Sequence, residues 1–252
     1  MIDLLTEERQ SIIVNMLSEK SILKLKDLVK ILDASESTIR RDLDELEAKG
    51  LLKRVHGGAV AVNGSFTLDY SIDERTERFL TEKRAIAKYC ADLIEDGDYV
   101  YLDSGTTTLE MIPFLSGKRL TVVTNGVYNA QKLVENNVKT YLLGGEVKHK
   151  TQTVIGEQSV LNMLKFRFTK AFIGANGITF KSAITTPDDS EAVIKKLAID
   201  LSKDSYVVVD SSKFGSVSFS KICDLDDVTI VTNKSDYKID KRIIDIATII
   251  EI

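Results

Sequence analysis

The chain has 252 residues, 43% hydrophobic and 29% charged, with a net charge of −4, two histidines and two cysteines. That is enough chain for one or two domains with a real core, in the composition range of globular proteins. It argues against a disulfide framework, a zinc site built on the isolated Cys90 and Cys223, a bilayer-spanning apolar run and indiscriminate attraction to nucleic acid.

The opening "MIDLLTEERQ" is acidic and polar and does not read as a secretory signal. A cytoplasmic protein with reduced thiols is expected, with no membrane, metal or cofactor. Residues 1–60 carry 10 Lys+Arg and 11 Asp+Glu, a net of −1. Any recognition of DNA there must come from where charges sit rather than how many there are.

"TEERQSIIVNMLSEK" predicts a helix that starts at Thr6, with Ile12, Ile13, Met16 and Leu17 at helical spacing. "LKLKDLVKILD" predicts a second, with Leu25, Leu28, Val29 and Leu32 on one stripe. Ser35 then suits the cap of a third, accepting from the backbone near Thr38. In that helix Ile39, Leu43 and Leu46 turn inward, Ser37 and Arg41 fall roughly opposite Ile39, and Arg40 lies on the flank. Gly50 is placed to end it. "LLKRVHGGAVAV" predicts a hairpin turning at Gly57-Gly58.

Three short helices and a hairpin make a winged helix-turn-helix. Such a domain sets the start of its third helix against base edges in the major groove. Here that start presents Ser35, Ser37, Thr38, Arg40 and Arg41, and the wing adds Lys53, Arg54 and His56 for phosphates or the minor groove. The same charges could form a solvated face balanced by Asp42, Asp44, Glu45 and Glu47. Their place in the motif favours DNA.

"NGSFTLDYSIDE", residues 63–74, is polar, starts on a turn signal and reads as a linker. The expected division is 1–62 for the winged helix-turn-helix, 63–74 for the linker and 75–252 for a second domain. Beyond the linker, "EKRAIAKYCADLI", "TTTLEMIPFL", "GVYNAQKLVEN" and "DSEAVIKKLAIDLS" read as helices. They alternate with apolar strands "DYVYLD", "LTVVTN", "VKTYLLGG", "KAFIGANGI", "SYVVVD" and "VTIVTN". The fold class is therefore α+β for the first domain and α/β with a mostly parallel sheet for the second.

In such sheets ligands bind at the carboxyl ends of the strands. This chain repeatedly places polar residues and glycines there: Asp103-Ser104-Gly105-Thr106-Thr107, Thr124-Asn125-Gly126, Gly144-Gly145, Asn176 in "GANG", and Lys213 in "DSSK". The first run, between a strand and a helix, predicts a phosphate-binding turn built from N–H groups and hydroxyls. Each run read singly could be an ordinary capped turn; together they favour a shared pocket. "TTPDDSEAVIKK" adds Asp188 as a helix cap and Glu191, either as pocket acids or as a capped helix with a Glu191–Lys195 pair.

The runs "SESTIRRDL" and "GLLKRVHGGA", with "LTEERQ" before them, resemble the DNA-binding domain of DeoR-family bacterial regulators. "LDSGTTTLEM", "TVVTNG", "LLGG", "AFIGANGI", "TTPDDSEAVIK" and "DSSKFG" are similar to that family's effector domain. The resemblance implies a fold shared with sugar-phosphate isomerases and coenzyme A transferases. It also implies a repressor of a sugar operon that binds double-stranded operator DNA and a phosphorylated sugar. "TTTLEMIPFL" and "TTPD" look most like the fructose-operon repressors, which makes fructose 1-phosphate the first candidate effector. A homo-oligomer is expected, since a helix-turn-helix usually reads two half-sites. An active isomerase with a DNA-binding appendage is the alternative, though no base can be placed beside a substrate from sequence and fold kinship is not turnover. A purely architectural DNA binder leaves the polar strand ends unexplained.

Overall fold

A computed structural model describes residues 6–19, 22–48, 51–55, 57–60, 78–235 and 239–252. The chain divides into two compact units, Met1–Ser65 and Phe66–Ile252. The expected linker 63–74, Gly50 and His56 lie outside the described residues.

In the first unit, α1 spans Thr6–Glu19, α2 Leu25–Ile31 and α3 Glu36–Ala48. Strands β1 (Ile22–Lys24), β2 (Lys53–Val55) and β3 (Gly58–Val60) form an antiparallel sheet in the order β1-β3-β2. Ile13, Leu17, Leu28, Ile39, Leu43, Leu46 and Leu52 make its core, so the inward stripe of α3 is the predicted one. The second helix starts later than its sequence suggests: Ile22–Lys24 is extended and pairs with β3 instead.

The wing also turns one residue earlier than expected. Val55 pairs with Gly58, which leaves residues 56 and 57 between the strands, and Gly57 takes the positive φ of +88°. Gly58 serves a different need. A β-carbon there would lie 1.9 Å from the Leu23 carbonyl oxygen, so only glycine lets β1 close onto β3.

Among the described residues, the second unit is built on a seven-stranded sheet in the order β15-β14-β12-β9-β4-β5-β6. These are β4 (Tyr99–Leu102), β5 (Thr121–Thr124), β6 (Lys139–Leu142), β9 (Phe168–Ile173), β12 (Ser202–Val208), β14 (Thr229–Thr232) and β15 (Thr248–Glu251). Every pairing in it is parallel. Both faces are apolar, as a doubly covered parallel sheet requires. Tyr101, Val123, Ala171, Ile173, Val207 and Ile230 fill one core, and Val100, Leu102, Val122, Phe172, Val208 and Val231 fill the other.

The chain enters this sheet at β4, runs outward through β5 and β6, then returns to β9 on the other flank of β4. The β4–β9 seam is thus the point where the winding reverses, the place such sheets bind ligands. "TTTLEMIPFL" is not one helix: it gives a single α-turn, Thr106–Leu109, and a 3-10 turn, Ile112–Leu115. Pro113 has no N–H to continue the helical ladder. Smaller elements that the sequence does not announce are the hairpin β7 (Glu146–Lys148) and β8 (Thr153–Ile155) and the helix Glu157–Met163. A small sheet of β10 (Gly177–Thr179), β11 (Ala183–Thr186) and β13 (Ser220–Cys223) is the third. No described helix is long and apolar enough to cross a membrane.

Candidate functional site

Two groups of residues were singled out, one in each unit. In the first unit Ser35 is the cap of α3, its Oγ accepting from the Thr38 N–H at 3.1 Å and bonding the Ser37 and Thr38 hydroxyls at 2.8 Å. Ser37, Arg40 and Arg41 are exposed and Thr38 is half-buried.

The acids around them are already engaged. Asp42 is buried and takes a two-pronged bond from Arg9 of α1, at 2.5 and 3.0 Å. Glu45 accepts from Gln10 at 2.6 Å. Arg40 pairs with Glu36 one turn back, at 2.6 Å. Arg54 pairs with Asp44, and its backbone N–H donates to Glu47 at 2.7 Å, so two carboxylates of α3 grip one wing residue. Among the described residues neither Arg41 nor Lys53 has an acidic partner, and both are exposed. The near-even charge balance of this segment therefore leaves a cation without an acidic partner both on the third helix and on the wing.

In the second unit Asp103, at the end of β4, is fully buried. Its Oδ2 accepts from the Gly174 N–H at 3.0 Å, across the β4–β9 seam, and from the Lys195 ammonium. Lys195 lies on the helix Asp189–Asp200, whose buried stripe carries Glu191 and Lys195 beside Ile194 and Ala198. These two do not pair with each other as their i, i+4 spacing suggests. Glu191 instead accepts from Lys148 at 3.1 Å and from the Thr151 hydroxyl at 3.0 Å, both on the β7–β8 hairpin. Asp188 caps the same helix, taking the Glu191 N–H at 2.9 Å, and pairs with Lys148 at 3.0 Å. Burial alone would raise the Asp188 carboxyl, but the Glu191 N–H and Lys148 outweigh it and hold the group below the usual aspartate range. Burial, together with the charges of Asp103 and Glu191, pushes the Tyr101 hydroxyl well above its usual value.

The run after Asp103 wraps this cluster. Ser104 accepts from the Thr153 hydroxyl at 2.8 Å. Gly105 has an ordinary extended backbone, and a β-carbon there would meet only normal contacts. Thr106 and Thr107 are buried, and the Thr108 hydroxyl donates to the Asp103 carbonyl at 2.7 Å. A single helical turn follows, so N–H groups and hydroxyls of the loop, rather than a long helix dipole, are what this turn can offer an anion.

After β5, the Gly126 N–H donates to the Thr124 hydroxyl at 3.1 Å, and Gly126 packs so tightly on Ser104 that a β-carbon would lie 2.9 Å from the Ser104 Cα. Asn129 donates to the Asp103 carbonyl at 2.9 Å. Among the described residues, Asp103 Oδ1, Asn125 Oδ1 and Asn129 Oδ1 are buried oxygens with no donor. Asn176 accepts from Thr186 at 3.2 Å. Gly144 and Gly145 are exposed and turn against Asn162, Ser159 and Ile155 instead of the acids.

Lys213 sits 3.6 Å from the buried Asp210. Burial works against Asp210's charge, yet Lys213, the Ser212 hydroxyl and Lys83 hold its carboxyl below the usual range. Lys83, Lys148, Thr151 and Thr153 belong to this polar region and carry no sequence mark, while Lys195 entered only as a partner for Glu191. What the region offers is a set of buried carboxylates offset by lysines, hydroxyls on the rim and oxygens able to accept hydroxyl donors. That suits a small polyhydroxylated anion.

Comparison with known proteins bears on both units. Residues 9–64 match the DeoR-like helix-turn-helix domain, and residues 78–234 match the DeoR C terminal sensor domain. The chain is 44% identical over 234 residues to a protein named as the uncharacterized HTH-type transcriptional regulator FruR of Bacillus subtilis (strain 168), covering 92% of this chain and 93% of that one. It is 35% identical over 249 residues to the lactose phosphotransferase system repressor of Staphylococcus aureus (strain NCTC 8325 / PS 47), covering 97% and 98%. Ribose 5 phosphate isomerase A from Neisseria gonorrhoeae aligns at a TM-score of 0.40 with 16% identity, over 53% of each chain.

Proposed function

We propose, since this chain belongs to the DeoR family of transcriptional regulators, that it is a repressor which holds double-stranded operator DNA until a phosphorylated sugar binds its second unit. The observation that carries this is the buried cluster at the β4–β9 seam, where Asp103, Lys195, Glu191, Lys148 and Asp188 converge from three separate stretches of chain. Burying that much charge is costly even when it is paired, so a cluster of this kind points to function more than to stability. The phosphate belongs at the Asp103–Thr107 turn, and the sugar hydroxyls at Asp188, Glu191 and the unpaired oxygens of Asp103, Asn125 and Asn129. Thr124, Gly126, Asn176 and Lys213 complete the pocket wall in this reading.

On the DNA side, Arg41, Ser37 and Thr38 read bases and Lys53 meets phosphate, while Arg40 and Arg54 reach DNA only by giving up their pairs with Glu36 and Asp44. Fructose 1-phosphate is the first candidate effector, in keeping with the likeness to FruR. The protein works in the cytoplasm, as a homo-oligomer that spans two half-sites. Turnover is not part of this function. The Glu191 N–H and Lys148 hold the Asp188 carboxyl below the usual aspartate range and so weaken it as a base, and Glu191 Oε1 is taken up by Lys148 and Thr151.

A thermal-shift panel of phosphosugars and their free sugars tests the effector class. A true effector at 100 times its dissociation constant stabilises the protein by about 2.7 kcal/mol. Equal shifts from free sugars and phosphosugars contradict the phosphate requirement.

A further inference from the structure

The β7–β8 hairpin, Glu146–Ile155, is short, with two lysines, two threonines and one glutamine beside the apolar Val147, Val154 and Ile155. Val154 is buried, while Val147, His149 and Lys150 face outward. What ties it down is polar. Lys148 reaches Asp188 and Glu191, Thr151 reaches Glu191, and Thr153 reaches Ser104. Its backbone accepts from the Val127 N–H at Gln152 and donates from Val154 to the Asn125 carbonyl.

Ser104 and Asn125 sit at the polar strand ends, and Asp188 and Glu191 at the start of the helix Asp189–Asp200; Asp103, Asn125 and, in the first turn of the helix Val127–Glu135, Asn129 carry buried oxygens without donors among the described residues. The hairpin bonds Ser104, next to Asp103, and the Asn125 carbonyl, so a ligand that reaches those oxygens from the hairpin side displaces these bonds.

We propose that this hairpin is the strap that opens for the effector and recloses on it, and that Lys148 is an effector-binding residue. The inference rests on the sugar-phosphate reading of the site. Sugar hydroxyls that donate to Asp188 and Glu191 take over the acceptor positions Lys148 fills, and the ammonium turns to the phosphate of the ligand. The exchange conserves hydrogen bonding: the two carboxylates trade an ammonium donor for neutral hydroxyl donors, and the new anion gains the cation. It also gives the hairpin a reason to be held by polar bonds, which exchange partners at low cost, where apolar packing would not.

The test is calorimetric titration of fructose 1-phosphate and of fructose 6-phosphate into the full-length parent, Lys148→Gln and Lys148→Arg, with amide exchange of residues 146–155 followed in the parent. Lys148 offsets the largely buried Glu191, so Lys148→Gln is expected to melt below the parent and Lys148→Arg near it, and the titrations are run at a temperature where all three are folded. The parent's hairpin amides should exchange several-fold more slowly when saturated. Lys148→Gln should bind about tenfold or more weakly, and Lys148→Arg should recover most of the loss. Parent-like affinity in Lys148→Gln, or hairpin exchange indifferent to a ligand that binds, overturns the proposal and leaves the effector class standing. A parent that binds neither phosphosugar overturns the effector reading and this inference together.

Discussion

Arg41 and Lys53 differ from Arg9, Arg40 and Arg54, the paired arginines of the first unit, in having no acid within reach among the described residues. An arginine that grips a base bidentately contributes about 1–3 kcal/mol of discrimination, whereas a lysine on phosphate contributes sequence-independent, salt-sensitive affinity. Arg41→Ala should therefore weaken specific operator binding by about 1–3 kcal/mol and blunt the preference for operator over random duplex. Lys53→Ala should weaken both kinds of binding together and flatten the salt slope by about one unit. Gel-shift titrations at two salt concentrations separate the two, and unchanged affinity in both variants would remove them from the DNA face. The acids of the second site, Asp103, Asp188 and Glu191, were legible in sequence because they stand at strand ends and at a helix cap. Their partners were not. Lys195 meets Asp103 across 92 positions and Lys148 meets Glu191 across 43, distances only the finished topology closes. The same holds for Arg54, whose pairing with Asp44 depends on where the wing lands. Both cysteines, Cys90 and Cys223, are buried, and burial pushes each thiol up to about 12, which marks them as unreactive packing residues.

Elements with a strong apolar period could be read from sequence, and elements held by pairing alone could not. The inward stripe of α3 and the runs that became β4, β5, β9, β12 and β14 carry enough buried apolar residues to announce themselves. The hairpin β7–β8 and strand β1 have three-residue strands without such a signal, and exist because neighbouring chain offers bonds. The wing shows how local signals mislead by one residue. A Gly-Gly pair suggests the turn itself, yet of the two glycines it is Gly57 that takes a positive φ, while Gly58 makes room for Leu23. Gly58→Ala should cost about 1–3 kcal/mol by forcing β1 from β3. Gly57→Ala meets no neighbour and should cost only about 1 kcal/mol in backbone strain. Thermal melts of the two variants decide it: equal losses, or a greater loss at Gly57, would contradict the assigned register.

At the scale of the whole molecule, a regulator of this kind needs a ligand that prefers one of two states. A ligand bound equally by both shifts nothing, however tightly it binds. The second unit concentrates its buried charge at the seam where its sheet reverses direction, and spreads apolar residues over both faces elsewhere. The order of strands that creates this seam was not readable from the chain, since alternation of strands and helices does not say which strand neighbours which. The central claim is that a phosphorylated sugar, seated there, loosens the grip on operator DNA. Its most direct measurement is release of a duplex selected by the protein from random sequences, titrated in parallel with fructose 1-phosphate, fructose 6-phosphate and free fructose. The account predicts release by at least one phosphosugar, fructose 1-phosphate first, and none by free fructose at the same concentrations. Release by free fructose as efficient as by the phosphosugars, or operator binding that none of the three disturbs while a phosphosugar demonstrably binds, would contradict it.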